Sequence, residues 1–224
     1  MLFKVITLFL LLANSFNLLA QPYAFITNQL DNNVAVIDVT NNQVIKAIPV
    51  QGKPVGVAVN HKLAQVYIST PEGNGFVVLD ADSLQQTGRV SVGGASVGIA
   101  VSPDGKRIAV ADWYENSVSI FDAANLGLIK KITVGKSPSG LVVSPDSRWL
   151  YVANRMDNTL SQIDLRTFKI RNTTKVGVHP FGISLDKKGE RIYSANVESN
   201  DVSVLSAQNL KRIARIKVGG DLTL

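Results

Sequence analysis

An all-β fold of repeated four-stranded antiparallel units is predicted by three observations. The first is a 42-residue repeat: Gly56, Gly98, Gly140 and Gly182 keep that interval, as do Val50, Val92, Val134, Val176 and Val218, and Asp38, Asp80, Asp122 and Asp164. Asn28, Thr70, Asp112, Asn154 and Asn196 follow it without an insertion or deletion. Agreement across unlike residue types marks a repeat architecture, not a compositional accident. The second observation is that each unit holds four short runs rich in Val, Ile, Tyr and Phe, separated by turn residues. The third is that nothing after the first 20 residues has convincing helical spacing.

From the N-terminus, Lys4 precedes the apolar run Val5 to Ala13, then Asn14, Ser15 and Asn17, then Leu18-Leu19-Ala20. One positive charge, a short apolar core and a closing small residue are the pattern of a secretory signal peptide. Residues 1–20 are therefore expected to be a signal cleaved after Ala20, with the bond after Ser15 as the alternative. The apolar run is shorter than the ~20 residues a spanning helix needs. No other segment can span a membrane, so the expected location is periplasmic or secreted, with no transmembrane segment after cleavage.

The third unit illustrates the rest. Gly98 to Ser102 is a nearly continuous apolar run, and Pro103-Asp104-Gly105-Lys106 then supplies a tight turn, Pro fixing one dihedral and Gly accepting positive φ. Arg107 to Ala111, Val118 to Phe121 and Ile129 to Val134 are the other strands, separated by Asp112 to Asn116 and by a turn over Asp122 to Leu126. A four-stranded sheet of this size cannot bury both faces alone, so consecutive units must stack. A closed ring of such blades protects the sheet edges, so the expected architecture is a β-propeller over residues 21–224. It comprises a partial blade with strands in 23–50, then blades at 56–92, 98–134, 140–176 and 182–218, about five in all. The innermost strands should be the Gly-led ones, Gly56-Val-Ala-Val, Gly98-Ile-Ala-Val, Gly140-Leu-Val-Val and Gly182-Ile-Ser-Leu, because strands converge at the axis. The chain reaches Leu224 where a further Gly-led inner strand would begin, so the ring is expected to be incomplete at the C-terminus, with an open edge prone to pairing.

Phe25-Ile-Thr-Asn28, Tyr67-Ile-Ser-Thr70, Tyr151-Val-Ala-Asn154 and Tyr193-Ser-Ala-Asn196 resemble the Tyr-Val-Thr-Asn (YVTN) β-propeller repeat. Ser102-Pro-Asp-Gly-Lys-Arg, Ser144-Pro-Asp-Ser-Arg-Trp and Val134-Gly-Lys-Ser-Pro-Ser-Gly140 match the rest of that signature. The resemblance covers the chain after the signal and implies the fold. It does not by itself imply an activity, because the same repeat serves many extracytoplasmic proteins. It also implies a ligand face where the loops between second and third strands gather with the crossings between blades.

Composition narrows the chemistry. The absence of cysteine removes thiolate nucleophiles, disulfides and Cys-ligated zinc, and only His61 and His179 remain beside carboxylates as metal ligands. The net charge of +6 is scattered, with basic pairs on the outermost strands at Lys130-Lys131, Lys169-Arg171, Lys211-Arg212 and Arg215-Lys217. Nucleic-acid binding wants such residues clustered with aromatics on one face, and so stands only as a further alternative. No Ser-His-Asp constellation and no phosphate-cradling Gly loop can be assembled.

Five copies of one unit provide an internal control: a residue type that recurs is structural, and one that breaks the repeat is a better site candidate. The recurring Asp38, Asp80, Asp122 and Asp164 should accept backbone bonds in turns. Asn28, Asp112, Asn154 and Asn196 should end the second strand, where left-handed geometry is tolerated. Trp113-Tyr114-Glu115 is the most unusual loop and suits partner contact, Trp and Tyr giving large area at modest entropy cost. Arg155 is a second candidate, and His179, in the crossing Val178-His179-Pro180-Phe181, a third. These five residues are the expected ligand or partner contacts. No catalytic residue, metal or cofactor is expected, and the partner is a protein or small molecule of the cell envelope. The function read from the sequence is a non-catalytic, exported binding or scaffold module. The alternative is a propeller enzyme, either a lactonase-like hydrolase with Asn28, Asp112, Asn154 and Asn196 on a divalent cation or a heme d1-type protein ligated by His179.

Overall fold

Turn chemistry cuts the described chain, residues 22–219 of a computed structural model, into nineteen strands. The expected signal and Leu222 to Leu224 lie outside the described residues. The first sheet contains β1 (Tyr23–Asn28), β2 (Asn33–Asp38) and β3 (Gln43–Pro49). The second contains β4 (Val57–Asn60), β5 (Gln65–Thr70), β6 (Gly75–Asp80) and β7 (Gln86–Ser91). The third contains β8 (Ser96–Val101), β9 (Arg107–Asp112), β10 (Ser117–Asp122) and β11 (Leu128–Thr133). The fourth contains β12 (Pro138–Val143), β13 (Trp149–Asn154), β14 (Thr159–Asp164) and β15 (Lys169–Lys175). The fifth contains β16 (Pro180–Leu185), β17 (Arg191–Asn196), β18 (Asp201–Ser206) and β19 (Arg212–Lys217). Every strand pairs antiparallel with its sequence neighbour inside its own sheet, and among the described residues no sheet closes on itself or on another. This is an all-β, incomplete β-propeller. Among the described residues no helix is long and apolar enough to cross a membrane.

The turns carry the repeat in their hydrogen bonds. Asp38 accepts from the Thr40 amide, Asp80 from Asp82 and Ser83, Asp122 from Ala124 and Asn125, and Asp164 from Arg166. These are Asx turns that lead the third strand into the fourth. Left-handed backbone is not found at Asn28, Asp112, Asn154 or Asn196, where the sequence suggested it would be tolerated; Asn154 has φ −98° and Thr70, at the same repeat position, −131°. It lies four residues later, at Asn32, Asn74, Asn116, Asn158 and Asn200, with φ between 49° and 57°. The short amide tolerates that conformation, and it reaches a backbone donor that no strand serves. Asn32, Asn116 and Asn158 accept from the amides of Lys53, Ser137 and His179, so each ties its loop to the crossing into the next sheet.

Stacking buries the rest. Val34, Val36 and Ile48 of the first sheet meet Val66, Ile68, Val77 and Leu79 of the second in one core cluster, and each later interface repeats the arrangement. Leu84, Leu126, Phe168 and Leu210 hold φ near +60°, which costs about 1–2 kcal/mol for an L-residue. Each is offset by burial, since all four side chains drop from the turn after the third strand into the cluster shared with the preceding sheet. The outer strands are largely exposed and rich in Lys and Arg, a charge pattern that blunts edge-to-edge pairing.

Convergence at the axis depends on three glycines. A Cβ on Gly98 would lie 1.8 Å from the Ser139 carbonyl oxygen, one on Gly140 2.3 Å from that of Phe181, and one on Gly56 2.8 Å from that of Val97. In each case the obstacle is the backbone of the next inner strand, which cannot swing aside. Gly182, the fourth of the series, meets nothing within 4 Å among the described residues. Gly98→Ala should therefore cost at least the 1–3 kcal/mol typical of overpacking, whereas Gly182→Ala should stay within about 0.5 kcal/mol of the natural chain, as measured by urea unfolding.

Candidate functional site

The residues that differ between repeats are held by bonds that do not. The first loop residue after each second strand is Gln29, Pro71, Trp113, Arg155 or Val197. The Trp113, Arg155 and Val197 amides donate to the carbonyls of Ala95, Ser137 and His179, the crossing residues beside them. This repeated bond places those side chains at one end of the inner strands, around the mouth of an axial channel of about 250 Å³ lined by Gly56, Gly98, Gly140 and Phe181.

Three of these side chains meet. The Arg155 guanidinium lies 5.5 Å from the Trp113 ring centroid, and the Trp113 and Phe181 rings are 6.3 Å apart at 58°. Trp113 thus leans toward the channel mouth between a cation from the fourth sheet and an aromatic from the fifth. Beside them, His179 Nδ1 lies 2.5 Å from Glu198 Oε1, though not in hydrogen-bond geometry. His179 itself is left-handed, φ 55°, as are Lys53 and Ser137 at the same repeat position, so its backbone is structural while its side chain is free to differ.

The other expected contacts point elsewhere. Tyr114 is 76% exposed beyond the cluster. Glu115 turns outward to Lys131 on β11 at 3.8 Å, an exposed pair worth at most about 1 kcal/mol. Of the five residues, the structure brings together Trp113 and Arg155, sets His179 nearby, and leaves Tyr114 and Glu115 at the rim. Phe181 and Glu198 were not anticipated. Phe181 had a usable signal, since Val55, Val97 and Ser139 occupy its position in the other units.

The proposed cation ligands are engaged. Asn28 donates to Asn33, Asn154 to Thr159 and Ser161, and Asn196 to Asp201 and Ser203. Asp112 is fully buried, and its Oδ1 accepts from the amides of Ala95, Tyr114 and Glu115, while Oδ2 has no partner. Among the described residues no group of three His, Asp or Glu side chains could hold a metal. His61 sits at the opposite end of the strands in a groove of about 420 Å³ between the first two sheets, too far round the fold to share a ligand with His179.

Residues 129–216 match a family model described as Lactonase, 7-bladed beta-propeller. The chain has a propeller fold. No curated protein matches it. Among solved structures it is similar to Kuenenia stuttgartiensis hydrazine synthase, with 25% sequence identity and a TM-score of 0.69 over 74% of this chain and 49% of that one. It is also similar to a functionally unknown protein from Desulfotomaculum acetoxidans, with 12% identity and a TM-score of 0.78 over 88% of this chain and 66% of that one. The chain thus spans about half the length of the first and just under two thirds of the second.

One charge near the loops is structural. Asp201 is buried and accepts from Arg215 Nε at 2.8 Å and from Asn196 Nδ2 at 2.7 Å. Burial pushes its carboxyl up, but hydrogen bonds from Arg215, Asn196 and Ser199 outweigh that and hold it below the ordinary carboxylate value. The unfolded chain then binds this proton at higher pH than the folded one, so the stabilisation is present above about pH 4 and is lost as pH falls below it. Asp201→Asn should cost about 1–3 kcal/mol at pH 7 and make unfolding free energy fall less steeply between pH 5 and pH 2, measured by urea titration at each pH.

Proposed function

We propose that this chain is an exported, non-catalytic propeller module that binds a partner in the cell envelope through its loop face. The observation that carries this reading is the convergence of Trp113, Arg155 and Phe181 at the channel mouth, where repeat-breaking side chains from three sheets meet on a backbone set by repeated hydrogen bonds. The cluster offers an aromatic surface, a guanidinium and the His179–Glu198 pair. These suit a partner that presents an acidic group to Arg155 and an apolar or planar group to Trp113. Export rests on the order of Lys4, the apolar run to Ala13 and Ala20, and Edman sequencing of the protein recovered from the periplasm or medium tests it. Membership in the YVTN-type repeat group belongs to the same proposal.

A lactonase-like hydrolase is the second reading. It is favoured by the family match over residues 129–216 and by the buried Asp112 Oδ2, which has no partner among the described residues. Tight Ca²⁺ binding that disappears in Asp112→Ala, with lactone hydrolysis lost alongside it, would replace the binding-module reading.

For the favoured reading, partner recovery from envelope extract should drop about tenfold or more with Trp113→Ala and with Arg155→Ala, and stay unchanged with Glu115→Gln. Equal recovery with all three variants removes the loop cluster from the account.

A further inference from the structure

A second site lies at the other end of the strands, where the fourth and fifth sheets leave a groove of about 710 Å³. Its walls carry Arg148 and Trp149 at the start of β13, Arg171 on β15, and Lys188 and Glu190 in the turn between β16 and β17. The repeat again acts as the control. Between the third and fourth sheets the same space is bridged: the Asp104 amide donates to the Ser147 hydroxyl at 2.9 Å, and Arg107 reaches the Leu165 carbonyl while lying 5.4 Å over Phe168. Between the fourth and fifth, Gly189 stands where Ser147 stands and offers no hydroxyl, and Trp149 stands where Arg107 stands and cannot cross. The Ala207 carbonyl, the counterpart of Leu165, is reached instead from below by Tyr151 and Gln162 at 2.8 and 3.0 Å, which leaves the space above it open as a groove.

The walls above those bonds carry a set of ordered cations. The Arg148 and Arg171 guanidinium carbons lie 4.6 and 5.0 Å from the Trp149 ring centroid. A guanidinium held over an aromatic ring keeps its in-plane N–H donors for a carboxylate, and loses less conformational freedom on binding one. Arg148 Nη2 contacts Asp164 at 3.4 Å while its buried Nε has no partner, and neither Arg171 nor Lys188 has a carboxylate within ion-pair distance among the described residues. Asp146 and Glu190 also line the groove and Asp164 is paired with Arg148, so three cations face three carboxylates. A wall so balanced has little pull on a compact dianion, whereas singly charged groups spaced along a chain can each meet a cation, and the carboxylates can accept bonds from hydroxyls. The groove is open to solvent rather than enclosed, which leaves room for a short chain.

We propose that this groove binds an acidic oligosaccharide whose charges are carboxylates, of the uronic-acid kind, with Arg148 and Arg171 taking the carboxylate and Trp149 ordering both. The site is separate from the loop cluster and does not depend on its function.

The chain has two tryptophans, so Trp113→Phe leaves Trp149 as the only indole and makes the groove its own fluorescent reporter. Titrating that variant with trigalacturonate should give a saturable change in emission, and calorimetry on the natural chain should return the same affinity. Adding Arg171→Gln, on an exposed strand where folding is retained, should weaken binding about tenfold, as should Arg148→Gln. Maltotriose, neutral and of equal length, should give no saturable change. No response to trigalacturonate, an equal response to maltotriose, or unchanged affinity in both arginine variants would overturn the proposal. So would equal affinity for acetate or inorganic phosphate alone, which would make the groove a simple anion site.

Discussion

The closeness of one inner strand to the next governs this molecule. Gly56, Gly98 and Gly140 let the backbone of each inner strand approach the carbonyls of its neighbour to within distances that any side chain would block. Once that spacing is set, the wedge shape of each blade follows. Small residues lie at the axis, Val, Ile, Leu and Phe fill the space between sheets, and basic outer strands face solvent. Inter-sheet bonds add to the glycines: Thr27 and Ser69 hydroxyls donate to the Val55 and Val97 carbonyls of the next inner strand.

The frame separates holding from presenting. Backbone bonds from the loop amides to the crossings, and from the crossing amides to left-handed asparagines, recur with the 42-residue period and place the same Cα positions around the channel mouth. The side chains at those positions are then free to vary with little cost to the fold. Trp113, Arg155 and Phe181 exploit that freedom at one end, and Trp149, Arg148 and Arg171 exploit it at the other. Both tryptophans of the chain sit at positions where their repeat counterparts are unlike them, and both contact arginines.

Much of this was legible in the residues. Strand number, the Asp-led turns and the Gly-led inner strands all follow from period and turn chemistry, because each is decided within a few residues of chain. Trp113, Arg155 and His179 stood out by breaking the repeat. The asparagines that hold the crossings keep the same 42-residue spacing, but the strand-end residues Asn28, Asp112, Asn154 and Asn196 draw attention first, although the left-handed backbone lies four residues beyond them. Glu115 looked like part of an aromatic and acidic tip, yet the loop's path delivers it to Lys131.

By itself the sequence determined the architecture: a repeated, turn-punctuated all-β chain whose apolar faces require stacking and whose glycines belong at the axis. Tertiary structure alone decided which variable residues meet. Trp113 finds Arg155 one repeat on and Phe181 still further along, and the groove beside Trp149 lies open above the Tyr151 and Gln162 bonds to Ala207 because Trp149 and Gly189 stand where Arg107 and Ser147 bridge the preceding pair. Such contacts depend on the twist and spacing of whole blades, a property of the stacked assembly that no local pattern of residues encodes.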